Sequence, residues 1–280
     1  IKLIDHHKVT HLCGAPVVLQ MIIDNINSKK SNIITNVMTA ASPPSPGVLE
    51  DIEKSGFSVT HVYGLTESYG PAVVCEWKPK WNKVKSSKKR ALLKARQGVS
   101  YPSLDYLDVF DAKNLRTVKN DGRTIGEVRF RGNIVMKGYL KNTQANKEAF
   151  KKGWFYTGDL AVIHPDGYIE LKDRAKDIII SGGENISSIE IEKTLVKNKL
   201  VADCAVIGIK HDKWGEVPCA FVELKRKNVS EEEIIKFSKN NLASFKVPKK
   251  VIFMKLPRTS TGKIKKFDLR KIVQNHGKKV

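Results

Sequence analysis

No continuous apolar run in this chain is long enough to cross a bilayer, since a spanning helix needs about 20 such residues. Cysteine is scarce: Cys13, Cys75, Cys204 and Cys219 are the four, without a CxxC pair or metal-ligand spacing. That excludes a disulfide-stapled scaffold and a zinc ribbon, and implies free thiols in a reducing compartment. His6, His7 and His11 read as loop histidines rather than as a metal site. Acid is short as well, with 29 Asp and Glu against 50 Lys and Arg, a net charge of +21. The excess is concentrated in Lys78–Arg96, which holds nine basic residues and no acid. Such a run can serve a nucleic-acid or anionic-membrane surface. No nucleic-acid-binding signature accompanies it, so it reads as a solvated loop and helix face, and no nucleic-acid partner is expected. The chain opens at Ile1 without methionine, basic n-region or signal-type apolar segment, which reads as an internal piece of a longer chain. It ends Lys278-Lys279-Val280 without a peroxisomal tripeptide, which favours the cytoplasm.

What is present is ample for a core: 41% of residues are hydrophobic and 28% charged. A length of 280 residues accommodates one large domain or two ordinary ones. The apolar spacing of residues 15–27 predicts a helix with Pro16 in its first turn. A buried strand over 32–38 and a small-residue turn, Thr39-Ala40-Ala41-Ser42-Pro43-Pro44, lead to a helix from Ser45 to Lys54. Small side chains after a strand let a flat ligand approach backbone. The next strand, from Phe57, ends in Tyr63-Gly64-Leu65-Thr66-Glu67-Ser68. That hexapeptide offers an aromatic face for a base, a hydroxyl for a phosphate and one carboxylate for Mg²⁺, which prefers one or two carboxylates plus phosphate oxygens. Taken alone, it is equally a helix cap with Thr66 as the capping residue.

The stretch from Phe155 to Ser187 is the densest in chemistry. Tyr156-Thr157-Gly158-Asp159 sets an exposed carboxylate after a glycine where a strand starts, and such a group can accept two hydrogen bonds from sugar hydroxyls. Pro165-Asp166-Gly167 turns a hairpin. Asp173-Arg174-Ala175-Lys176-Asp177, four charges in five residues, reads as an exposed joint before Ile178 resumes the apolar pattern. Gly182-Gly183 is a turn, Ser187 with Glu190 forms a capping box, and Ser230 caps a further helix. Near the end, Pro257-Arg258-Thr259-Ser260-Thr261-Gly262-Lys263 places a lysine on an exposed loop, where it can act as a mobile point charge.

Singly, each of these has a bland structural reading. Together, and in this order, YGLTES, YTGDL, DRAKD with SGGENIS, and PRTSTGK resemble the motifs of the adenylate-forming (AMP-binding) superfamily, which includes acyl-CoA synthetases, firefly luciferase and peptide-synthetase adenylation domains. The flanks HLCGAPVVL and HDKWGEVPCAFVELK are closest to the plant-type acyl-activating branch. The resemblance implies an α/β fold: the remainder of a large domain of mixed sheets and helices over 1–172, a hinge at 173–177, and a small mobile α+β domain over 178–280. It implies that Ala41 and Ser42 border the adenine, Tyr63 stacks on it beside Gly64, Thr66 contacts the α-phosphate and Glu67 binds Mg²⁺. It further implies that Asp159 holds the ribose hydroxyls, Arg174 adds a contact to ribose or phosphate, and Lys176 is the hinge residue. By the same resemblance Gly182, Gly183 and Glu184 line the CoA channel, and Lys263 is the catalytic lysine.

The implied activity is ATP-dependent ligation of a fatty or aromatic carboxylate to coenzyme A, through an acyl-adenylate. In one respect the chain departs from the pattern. The Ser/Thr/Gly-rich phosphate loop with its lysine belongs upstream, and neither Gly14 nor Ser181-Gly182-Gly183 stands in its place. The 280 residues alone are therefore not expected to activate a carboxylate. The alternatives are a non-catalytic truncated homologue that binds nucleotide or a protein partner, and an adenylation domain that feeds a carrier protein. Neither the acid nor the oligomeric state is legible.

Overall fold

The computed structural model describes residues 1–26, 34–40, 44, 46–226, 229–259 and 262–276. It divides into two compact units, Ile1–Leu171 and Lys172–Val280.

In the first unit, α1 (Lys2–His6) precedes β1 (His11–Cys13), α2 (Pro16–Asn25), β2 (Thr35–Thr39), α3 (Pro46–Lys54) and β3 (Phe57–Leu65). Pro16 opens α2, where its missing N–H costs nothing. β1, β2 and β3 are parallel neighbours, with Thr39 opposite His61. The apolar sides of α2 and α3 close over them through Leu19, Leu49 and Ile52, all fully buried with Val37 and Val59. β3 continues four residues past His61, through Tyr63-Gly64-Leu65, because β4 (Gly70–Val74) folds back antiparallel on it. The sheet is completed by β5 (Val99–Ser100).

Between β4 and β5 lie a 3₁₀ turn over Pro79–Lys83 and α4 (Ser87–Lys94). The basic run is thus only partly the solvated face expected of it. Arg96 is 6% exposed and makes a forked ion pair with Asp166, its guanidinium stacked on Trp81 and Tyr168. Lys78 donates to the Asp166 carbonyl, and Lys94 pairs with Glu53 of α3. Lys80, Lys83, Lys85, Lys88 and Lys89 remain exposed. His6 and His11 sit in α1 and β1 rather than in loops, and no cluster of metal-ligating side chains occurs among the described residues.

The second sheet of this unit has the strand order β11-β10-β8-β6-β7. Its members are β6 (Tyr106–Asp111), β7 (Arg116–Thr117), β8 (Gly126–Arg131), β10 (Trp154–Ile163) and β11 (Ile169–Arg174). α5 (Thr143–Ala149) and β9 (Phe150–Lys151) lead into β10. Val109, Val128, Phe130 and Phe155 form its buried side, and the same cluster takes in Tyr63, Ala72 and Val73 from the β3–β4 hairpin. That shared core fixes the YGLTES turn against β10.

In the second unit, β12 (Ile179–Ser181), β13 (Glu184–Ile186), α6 (Ser188–Leu195), β14 (Val201–His211), β15 (Gly215–Leu224), α7 (Glu231–Asn241), β16 (Lys250–Phe253) and α8 (Lys266–His276) make an α+β arrangement. β15 pairs with β14 along its length and with β12 and β16 on its other edge. Ser187 and Ser230 cap α6 and α7 as their sequence spacing predicts. Ile179, Ile186, Ile191, Val206 and Val222 fill one side of the sheet. Leu256 and Leu269 cover the other with Ile207 and Phe221. No helix among the described residues is long and apolar enough to cross a membrane.

Candidate active site

The parallel strands place the first group of motif residues. Ligands of α/β sheets gather beyond the carboxyl ends of such strands, and the YGLTES turn follows that end of β3. Ala41 and Ser42, which follow β2, lie outside the described residues. Gly64 is required there: a Cβ on it would sit 1.9 Å from the Gly70 carbonyl oxygen. Thr66–Ser68 forms one 3₁₀ turn rather than a helix capped by Thr66. Its anchor is Ser68, whose buried hydroxyl accepts from the Leu65 N–H at 2.9 Å and faces the Gly70 carbonyl at 2.9 Å. Thr66 is left exposed and Glu67 half-buried.

Asp159 is 4% exposed, and it lies in mid-strand rather than at an exposed strand start. The reason is a β-bulge. The pairing of β10 with β8 shifts register between Tyr156 and Leu160, and Gly158 takes φ = 72°. Residues 157–159 of β10 thus face the single Val128 of β8, and extra residues in one strand re-aim the side chains beside them. Thr157 donates its hydroxyl to the Val128 carbonyl at 2.8 Å and accepts from the Asp159 N–H at 3.1 Å. Glu127 accepts from the Gly158 N–H at 3.0 Å. Burial raises the Glu127 carboxyl above its ordinary range, against the pull of that N–H.

So directed, the Asp159 carboxylate accepts a hydrogen bond from the Tyr63 hydroxyl at 2.6 Å, joining residues 96 apart in sequence. Tyr63 is 8% exposed and packs on Phe130 with ring centroids 5.9 Å apart. Glu67 is met by a residue that sequence reasoning passed over. The Tyr139 hydroxyl donates to Glu67 Oε1 at 2.8 Å, and the Met136 N–H donates to the Glu67 carbonyl. Nothing local in the sequence pairs Tyr139 with Glu67, 72 residues away. One tyrosine bond leaves a carboxylate with acceptor capacity to spare, so the donor set suits a single-carboxylate Mg²⁺ site completed by phosphate oxygens. A cavity of about 320 Å³ in this unit, lined by Asp105, Phe130, Arg131, Met136, Phe150 and Phe155 among others, includes none of Tyr63, Glu67 and Asp159.

The second unit carries the other motif residues on turns. The joint at 173–177 is not exposed throughout: Asp173 is 2% and Asp177 9% exposed, whereas Ala175 and Lys176 face solvent. Each aspartate has a designated donor, which is why a charged run is buried at both ends. Asp173 accepts from the Ser188 N–H at 2.5 Å, and Asp177 pairs with Arg270. Arg174 is half-buried. Gly182 and Gly183, with φ of 60° and 87°, are the two central residues of the β12–β13 hairpin, where positive φ at both positions calls for glycine. A Cβ on Gly182 would lie 2.9 Å from the Trp214 ring. Gly182, Gly183 and Glu184 are exposed.

Lys263 is exposed on a loop closed by the bridge of Arg258 to Ile264. Its N–H donates to Thr259 Oγ1 at 3.1 Å, and its carbonyl accepts from the Thr259 N–H at 2.8 Å. Arg258, also missed in the sequence, pins the loop to the sheet. It donates to the Gly262 carbonyl at 3.2 Å and to Asp203 at 2.6 Å, with Glu223 at 3.5 Å. On the far side of the loop, Lys266 pairs with Glu192 at 2.7 Å and donates to Ser188 Oγ at 2.6 Å. The lysine is thus exposed in its side chain and tied at its backbone.

Residues 1–140 match the family model of the AMP-binding enzyme, and residues 190–263 match that of the AMP-binding enzyme C-terminal domain. The chain is 52% identical over 272 residues to the acetate–CoA ligase CCL3 of Humulus lupulus, covering 94% of this chain and 48% of that protein. It is 49% identical over 276 residues to the peroxisomal trans-cinnamate:CoA ligase of Petunia hybrida, covering 97% and 48%. Among solved structures, it superposes on the o-succinylbenzoate CoA synthetase of Bacillus subtilis in complex with its acyl-adenylate intermediate. There the TM-score is 0.82 at 30% identity, over 96% of this chain and 52% of that one. ATP-bound MatB of Rhodopseudomonas palustris gives a TM-score of 0.84 at 27% identity, over 98% and 52%. The chain spans about half the length of the curated relatives it matches. With its motifs in order and both family models matched, the chain belongs to the AMP-binding enzyme family.

Proposed function

We propose that the chain supplies the nucleotide-holding turn, the hinge and the catalytic-lysine domain of an AMP-forming carboxylate–CoA ligase. The observation that carries this reading is the Tyr63–Asp159 hydrogen bond, which joins two motifs 96 residues apart. Tyr63 and Asp159 would form the adenosine side of the site, with Asp159 accepting from the ribose hydroxyls and Arg174 adding a contact. Ala41, Ser42 and Gly64 would border the base. Thr66 would meet the α-phosphate, and Glu67, oriented by Tyr139, would hold Mg²⁺. When bound, that ion neutralises phosphate charge.

In the first half-reaction a carboxylate oxygen attacks the α-phosphorus of ATP. The bond to the bridging oxygen breaks and pyrophosphate leaves. Lys263, an exposed point charge on a pinned loop, would neutralise the charge developing on the α-phosphoryl oxygens. In the second, the CoA sulfur, its proton lost, attacks the acyl carbonyl and AMP leaves. The exposed Gly182-Gly183-Glu184 turn would line the channel for CoA. Rotation of the second domain about Lys176 would exchange the two lids, so that one site serves both steps. Short aliphatic and aromatic acids are the candidate substrates, following the relatives' acetate and trans-cinnamate. The cytoplasm is the proposed compartment, with the peroxisome, home of the cinnamate ligase, as the alternative.

The test supplies a ready-made acyl-adenylate and CoA and follows acyl-CoA. Faster thioester formation than the uncatalysed rate, reduced by Gly182→Ala, is the expected result. No acceleration by a folded sample contradicts the reading for this chain.

A further inference from the structure

The ligase reading leaves the basic run of Lys78–Arg96 without a task. Its cations sort into two sets. Lys78, Lys94 and Arg96 are engaged, by the Asp166 carbonyl, Glu53 and the Asp166 carboxylate. Lys80, Lys83, Lys85, Lys88 and Lys89 are exposed, and none of the five forms an ion pair among the described residues. The acids of the adjoining α3 do not cancel them. Glu50 accepts from Ser87 and pairs with Lys54, and Glu53 is taken by Lys94.

The two elements that carry these lysines are each anchored by one side. In the 3₁₀ turn Pro79–Lys83, Trp81 is 5% exposed and packs edge-on against Tyr168, ring centroids 5.0 Å apart. Lys80 and Lys83, three residues apart, eclipse one another in such a turn. In α4, Ala91 is buried in the cluster of α2 and α3, and Ser87 and Lys94 on the same side bond to Glu50 and Glu53. The helical period then turns Lys88, Lys89 and Leu92 outward, with Leu92 beside both lysines at spacings of four and three. Leu92 is 52% exposed.

A row of unneutralised lysines attracts a polyanion. The leucine among them narrows the class, because it gains nothing from phosphate and gains from entering the acyl boundary of a bilayer. Single-stranded nucleic acid calls instead for open aromatic faces. The tryptophans here are covered, Trp77 by Lys94 and Trp81 by Arg96. We propose that Lys80–Leu92 is a docking surface for an anionic lipid leaflet, its five lysines meeting the headgroups and Leu92 entering between them. One leucine is too little apolar area for lasting anchorage, so binding is reversible and weakened by salt. The proposal stands apart from the ligase reading, and no turnover is needed to test it.

The test is cosedimentation of the chain with vesicles of phosphatidylcholine alone and with vesicles that contain about one-third phosphatidylserine. Binding to the second kind only, falling as salt rises, is expected. Each lysine near such a surface contributes about fivefold to partitioning, so Lys88→Gln with Lys89→Gln is expected to weaken binding about 25-fold. Leu92→Ser is expected to weaken it about fivefold. Lys236→Gln with Lys239→Gln, on exposed positions of α7, changes the net charge equally and is expected to leave binding unaltered. All the substituted residues are exposed, and unchanged melting temperatures check that the fold is kept. An equal loss in the α7 variant, or no preference between the two kinds of vesicle, overturns the proposal. Duplex DNA is titrated into the same variants. Binding to DNA but not to vesicles, or vesicle binding that Leu92→Ser does not change, also overturns it.

Discussion

The two units carry their chemistry in opposite ways. In the first, Tyr63 and Asp159 are nearly buried, bonded to each other and braced by a bulge and a shared aromatic core. In the second, Lys176, Gly182, Gly183, Glu184 and Lys263 stand in solvent on turns whose bases are tied down. Groups that grip one ligand through a whole cycle gain from being held in place before it arrives. Groups that must come and go gain from exposure, with order confined to the backbone that carries them. The difference suits the proposed fixed site served by an exchanging lid.

The comparison breaks most sharply at glycines. Gly64→Ala puts a Cβ 1.9 Å from the Gly70 carbonyl, and backbone cannot yield as a side chain can. A loss of about 3 kcal/mol or more is expected in chemical denaturation of the first unit. A transition within about 0.5 kcal/mol of the unaltered chain would show that the β3–β4 hairpin is not held as described.

The Arg96–Asp166 pair comes next. Burial raises the Asp166 carboxyl, but hydrogen bonds and charge from Arg96 outweigh it and hold the group below its usual range. A carboxylate depressed in the folded state stabilises above its unfolded pKa, near 3.9, and loses that contribution as pH falls through the lower folded value. Arg96→Gln is expected to cost about 2 kcal/mol at neutral pH, after allowance for solvent at Asp166. The variant is also expected to lose less stability than the unaltered chain when the pH is lowered through that window. Parallel pH profiles for the two proteins would contradict the assignment.

Gly183→Ala is the mild counterpart of Gly64→Ala. No atom lies within 4 Å of its would-be Cβ, and only its φ of 87° opposes the change. About 1 kcal/mol is expected, read in the second unit alone. A cost equal to that of Gly64→Ala would erase the contrast between the two units.

Much of the fold was legible. Pro16, Ser187 and Ser230 mark helix starts that the structure keeps. What was not legible depends on distant partners. Asp159 reads as exposed because no local pattern announces a bulge, and Asp173 and Asp177 read as solvated because Ser188 and Arg270, 15 and 93 residues on, are what permit their burial. The role of Tyr139 at Glu67 is of the same kind, a contact across 72 residues. The basic run misled in part because Asp166, its main acid, lies 70 residues from Arg96. Sequence shows local propensity and motif order; it does not show which charge a folded chain will find.

The central claim is that the first unit holds the nucleotide and the second only reaches toward it. Calorimetric titration of the chain with AMP tests it most directly. Asp159→Ala is expected to weaken binding by about ten- to a hundredfold, the loss of a buried charged acceptor. Lys263→Ala, removing an exposed charge, is expected to weaken it by about fivefold at most. Equal losses in the two variants, or no AMP binding by the folded chain, would contradict the account.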